Sequence, residues 1–94
     1  MAVGDINRDA SSPRQHGNQW MLEGTIEVDD ELRAFALGGT GITLTSVSIV
    51  SEDGVGSARV RVNENASGTS TNGTIAVQGN HQSVDTYRFQ ALYV

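Results

Sequence analysis

The chain contains no cysteine. It therefore has no disulfide, no thiolate metal site and no cysteine nucleophile. Lysine is absent as well: the six basic residues are Arg8, Arg14, Arg33, Arg59, Arg61 and Arg88. Codon bias would explain an all-arginine set without function. The functional alternative is that the planar guanidinium fork is favoured at protein interfaces, where lysine is depleted. Eleven acidic residues bring the net charge to −5. That balance argues against a nucleic-acid module, whose footprint is basic, and against a polybasic membrane anchor. No apolar run approaches the roughly 18 residues that span a bilayer as a helix. The opening Met1-Ala2-Val3-Gly4-Asp5 lacks the charged and apolar regions of a signal peptide, so synthesis in a cytoplasm is expected. There is one proline, and the aromatics are one Trp, two Tyr and two Phe.

Within these bounds, 94 residues make a single domain. A chain of this size buries roughly 60–65% of its unfolded surface, enough for one modest core. Oligomerisation would add useful stability.

The pattern that is present has a period of two. Tyr87, Phe89, Ala91 and Tyr93 alternate with Thr86, Arg88 and Gln90, the signature of a strand with one buried face. Trp20, Leu22, Ile26 and Val28 share a phase, with Gly24 between them as a candidate bulge. Ala58, Val60 and Val62 alternate with Arg59 and Arg61, and Ile75 and Val77 follow Asn72-Gly73. From Ile42-Thr43-Leu44 to Val47-Ser48-Ile49 the apolar phase flips, which places a β-bulge near Thr45-Ser46. Asp53-Gly54 reads as a hairpin turn. Leu32 to Leu37 is apolar on both sides and fits either one helical turn or a strand buried on both faces. The expected fold is all-β: a small antiparallel β-sandwich or Greek-key barrel of about six strands. It occupies residues 20–94 and follows an extended N-terminal arm, residues 1–19. The arm is polar and apolar-poor. It is either a loose terminus or a segment that orders on a partner. The expected core face is Trp20, Leu22, Ile26, Val28, Val60, Val62, Ile75, Val77, Tyr87 and Phe89.

Few residues suggest chemistry. A nucleophilic triad needs a histidine converging with a hydroxyl and a carboxylate, and only His16 and His81 are available, the first in the arm and the second in a turn. Two distant histidines do not make a zinc site. Asp29-Asp30-Glu31, Glu52-Asp53 and Glu64 offer oxygen ligands of the kind calcium takes, without its regular loop spacing. Gly38-Gly39-Thr40-Gly41 is glycine-rich, but no Lys-Ser/Thr follows it, so it is not a phosphate loop. Asn65-Ala66-Ser67 and Asn72-Gly73-Thr74 match the glycosylation pattern by chance if the chain is not secreted. No enzyme, cofactor or metal is expected.

The opening Met-Ala-Val-Gly-Asp with its polar arm, the segment Gly24-Thr25-Ile26-Glu27-Val28-Asp29-Asp30, and the stretch from Asn63 to Val94, with Asn72-Gly73-Thr74-Ile75-Ala76-Val77 and Asp85-Thr86-Tyr87-Arg88, carry a resemblance. Together they resemble small virion proteins of tailed bacteriophages, of the type found beside the major capsid protein. The resemblance implies a non-enzymatic head decoration, or cement, protein that binds and stabilises the capsid lattice. It would be a β domain on the outer capsid surface, often trimeric, with the major capsid protein as partner and no nucleic-acid or membrane partner. The alternative is a carbohydrate- or host-surface-binding β module of a tail or fibre. The expected contact residues follow from apolar side chains on a second strand face, which a single sandwich core does not cover. These are Phe35 and Leu37, and Leu92 and Val94, with Arg33 and Arg88 at the rim.

Overall fold

The structure, a computed structural model, describes residues 2–38 and 41–94. Among these residues there is no helix, and the chain forms eight strands in two antiparallel sheets. The strands are β1 (Ile6–Arg8), β2 (Arg14–His16), β3 (Gln19–Val28), β4 (Arg33–Ala36), β5 (Leu44–Ser51), β6 (Ala58–Glu64), β7 (Ser70–Gly79) and β8 (Asp85–Tyr93). The larger sheet runs β1-β3-β8-β5, with β2 also on β3; the smaller runs β4-β7-β6. This is the expected all-β sandwich, with two more strands than the alternation alone suggests.

The two extra strands come from the arm. Ile6–Arg8 pairs with β3 at Ile26 to Gly24, and Arg14–His16 pairs with it at Met21 to Gln19. The segment expected to order on a partner lies along β3 of its own chain. Gly24 is explained by this crossing. The β3–β8 ladder runs without a register shift from Trp20↔Tyr93 to Val28↔Asp85, so no bulge sits at Gly24. A Cβ there would drive into the backbone of Asn7 and Arg8 in β1 and into the Phe89 ring. The glycine is needed for close approach of a neighbouring strand.

The bulge expected at Thr45-Ser46 is present: the β5–β8 register shifts between Leu44 and Ser46. It turns both Leu44 and Val47 inward despite their odd spacing. The expected Asp53-Gly54 hairpin is not formed. Gly54 makes a turn, with φ of 76° and its N–H donating to the Ser51 carbonyl at 3.2 Å. The chain then crosses from the large sheet to the small one, since β5 and β6 belong to different sheets. Leu32 to Leu37 is neither expected alternative. Arg33–Ala36 is a strand whose Phe35 points into the core while Ala34 and Ala36 are exposed.

The core lies between the sheets. Leu22, Ile26, Val28, Ile75, Val77, Tyr87 and Phe89 are buried, as their phase requires. Phe35, Leu37, Leu44 and Ala91 join them. Trp20 and Val62 keep the inward phase yet are 42% and 37% exposed, and Val60 is half-buried. Trp20 stands near one end of the β3–β8 ladder, and β6 is the edge of its sheet. Inward phase gives burial only where an opposing strand reaches.

One corner ties the two sheets together. Asn63 has a left-handed backbone, with φ of 57°. Its Oδ1 accepts from the Leu44 N–H at 3.0 Å and the Gly73 N–H at 3.1 Å, and its Nδ2 donates to the Leu44 carbonyl at 2.9 Å. Gly73, at φ of 82°, accepts in turn from the N–H groups of Leu37 and Gly38. Asn63→Ala should cost about 2–4 kcal/mol in denaturant unfolding, because it orphans half-buried backbone groups and leaves a Cβ residue in left-handed geometry. Asn63→Gly relieves only the backbone term, so it should fall between wild type and Asn63→Ala. Phe35→Ala should cost about 3–5 kcal/mol, measured at dilutions where no assembly occurs.

Candidate functional site

The six residues expected to form a contact surface do not lie together. Phe35 and Leu37 are fully buried in the chain's own core, so they are corrected from contact residues to core residues. The apolar pair needed a cover, and β7 and the opposing sheet supply it. Arg33 sits at the start of β4, in the small sheet. It donates from Nε and Nη2 to the two carboxylate oxygens of Asp29, each at 2.9 Å, and from Nη2 to Glu31 Oε2 at 2.7 Å. This fork-on-carboxylate geometry is the strong form of such a pair. The Arg33 hydrogen bonds hold the Asp29 carboxyl down at about 2, against an ordinary 3.8.

Arg88, Leu92 and Val94 belong to β8 and its end. Arg88 and Leu92 are on the face of the large sheet that points away from the core, because Tyr87, Phe89 and Ala91 take the inner phase. That outer face is divided. Toward β3 it meets the N-terminal segment. Asp9 accepts from Arg88 Nη1 at 2.8 Å across the sheet, the Ser12 hydroxyl accepts from the Glu23 N–H at 2.9 Å, and Arg14 pairs with Glu23 at 2.7 Å. Glu23 and Glu27 are buried there. Glu27 Oε1 accepts from the Thr86 hydroxyl at 2.7 Å, while its Oε2 is buried without a hydrogen-bond partner.

Toward β5 the same face is open. Ser48, Val50, Ser51, Glu52, Arg88 and Gln90 line a shallow groove of about 460 Å³. Val50 is 61% exposed in it. Further along, Leu92 is half-buried between Met21 and Ser46, its partners on either side. At the end of the sheet Val94 is 81% exposed, while its neighbours Trp20 and half-buried Tyr93 keep the inward phase. β5 is the outermost strand on this side. The open half is therefore a strip with a charged groove at one end and an aliphatic end, Leu92 and Val94, at the other. Trp20, expected in the core, keeps the inward phase but lies beside β2 at the end of the β3–β8 ladder, where it is exposed; its place at the start of the alternating run was the signal for that.

The loops at the opposite end gather polar groups. His81 Nδ1 lies 2.8 Å from Asp85 Oδ2. The Ser51 hydroxyl donates to Asp53 Oδ1 at 2.6 Å, which lowers the Asp53 pKa. The Tyr87 hydroxyl donates to the Ser57 carbonyl at 3.0 Å, and burial raises its pKa. The hydroxyl of Ser51 and the ring of His81 are thus engaged with different carboxylates. Among the described residues no three His, Asp or Glu side chains group as a metal site. Gly39 and Thr40 of the glycine-rich stretch, and the His16 side chain, lie outside the described residues. Comparison with known proteins finds no matching family, no matching curated protein and no matching solved structure.

The Asp29–Arg33 clamp sets a pH expectation. The folded value lies below the ordinary 3.8, so the pair contributes stability that is present above about pH 4. That contribution fades as the pH falls from 3.8 toward about 2. A carboxyl NMR titration should give Asp29 a midpoint of about 2, and Arg33→Gln should return it toward 3.8.

Proposed function

We propose that this is a structural virion protein of the head-decoration type, which binds a capsid lattice through the open half of its large sheet. The observation that carries the reading is that this outer face leaves Leu92 half-buried and Val50 and Val94 exposed, on and beside an unpaired edge strand. Exposed apolar groups that cluster on a small soluble domain mark contact sites more often than scattered ones do. The groove at the other end of the strip, with Arg88 beside Glu52 and Asp9, supplies the polar rim such interfaces have. The resemblance to phage decoration proteins gives the identity of the lattice, the major capsid protein, and the homo-oligomeric form.

The exposed Trp20, outside that surface, favours a second reading, a carbohydrate- or host-surface-binding module, since an exposed aromatic ring is the platform a sugar face stacks on. The two readings separate experimentally. Glycan binding that is lost in Trp20→Ala would support the second. Retention on capsids would support the first.

For the first, phage heads are purified through a density gradient from a lysate of the strain that encodes the chain. Mass spectrometry should find the protein in the head fraction at a fixed ratio to the capsid protein. Its recovery only in the soluble fraction would sink the proposal. The double variant Leu92→Asp/Val94→Asp should keep its circular dichroism spectrum and lose head association by about two orders of magnitude, the scale of removing a contact hot spot.

A further inference from the structure

The outer face of the small sheet is charged by one element alone. Arg59 and Arg61 lie two positions apart on β6, both exposed, on the face opposite Val60 and Val62. Three of the other arginines have carboxylate partners within the chain, and Arg8 donates to the Ala36 carbonyl. The side chains of Arg59 and Arg61 have no hydrogen bond or ion pair with any described residue. Across the sheet they face Gln78 and Ala76, and Ala34 follows on β4. In a chain of net charge −5, two unpaired guanidinium groups stand side by side over a neutral floor.

β6 is also an edge strand. Its ladder is to β7, and among the described residues no strand forms a ladder on its other edge, where β5 approaches only at the Asn63 end. On the core side of that edge Val60 is half-buried and Val62 is 37% exposed. The edge thus offers three things in register: unpaired backbone groups, an apolar inner side that is incompletely covered, and a cationic outer side. Strand addition to a sheet edge uses all three. Residues of an added strand alternate in the same period of two. Those opposite Arg59 and Arg61 would lie about 5 Å away and form cross-strand charge pairs.

We propose that the β6 edge is a docking site for an extended segment of another protein in which apolar and acidic residues alternate. The acidic side chains pair with Arg59 and Arg61, and the apolar ones cover Val60 and Val62. This chain has a stretch of that pattern, Ile26-Glu27-Val28-Asp29, but it is held within the large sheet between the N-terminal segment and β8. A second folded copy therefore cannot supply the segment. The chain's net negative charge disfavours a nucleic acid. The site is on the other sheet from the surface proposed above and does not depend on that reading.

The test uses the full chain, isotope-labelled, titrated with a soluble peptide in which valine alternates with glutamate. Amide shifts should change at residues 58–62 and leave β4 and β5 unaffected. Arg59→Glu/Arg61→Glu should weaken binding by about tenfold or more, the scale of losing close charge pairs. A valine–lysine peptide should bind that variant better than it binds wild type. Arg59→Gln/Arg61→Gln, which introduces no new charge, should weaken binding with the spectrum otherwise unchanged. Equal binding of the two peptides to wild type would overturn the proposal. So would shifts confined to β4 or β5, or a single-stranded oligonucleotide that outcompetes the glutamate peptide. An arginine edge that only keeps copies apart would show no peptide binding, with aggregation of the Gln variant, and that result also overturns it.

Discussion

The two sheets of this sandwich share no ladder, and one side-chain amide does much of the work of joining them. Asn63 occupies a backbone conformation that a residue with a Cβ rarely takes, and in that conformation its amide presents donor and acceptor together to Leu44 of the opposite sheet. The same oxygen holds Gly73, whose carbonyl receives the chain as it leaves β4. Four strand ends meet at this corner. An amide can satisfy a backbone N–H and C=O at once, as another strand would. Without it, Leu44 and Gly73 would bring orphaned backbone groups to the edge of an apolar core, at a cost comparable to the bonds themselves. The apolar contacts beyond the corner, with Phe35, Phe89 and Tyr87 at their centre, are non-directional. They favour closure, and the amide fixes how the sheets register.

From that closure follows the division of surfaces. The N-terminal segment runs along β3 and reaches Arg88, which buries Glu23 and Glu27 and spends Arg14 and Arg88 on internal pairs. Among the surfaces left open are the β5 half of the large sheet and the β6 edge of the small one. The first is aliphatic at its end, the second cationic.

Strand by strand, much of this was legible. The period-two phase identified the buried faces of β3, β7 and β8, and the phase flip located the bulge at Thr45. Trp20 and Val62 were misjudged because phase reports direction, and burial needs an opposing element as well. Phe35 and Leu37 were misjudged because alanine at 34 and 36 reads as apolar whether it is buried or not. Small side chains on an outward face carry almost no signal. Asp53-Gly54 was a true turn with the wrong consequence. A turn reverses the chain, but whether the next strand pairs in the same sheet or crosses to the other is decided by contacts made elsewhere.

The sequence by itself determined that the chain is all-β, where most strands run and which side of each is apolar, because those properties depend on side-chain alternation within a few residues. Only the tertiary structure decided which strands are neighbours, that the N-terminal segment closes one edge of β3, and which arginines are left unpaired. Pairing partners are far apart in the chain, as β3 and β8 are. Their choice depends on how the whole apolar surface can be covered at once, a condition that no local window of residues contains.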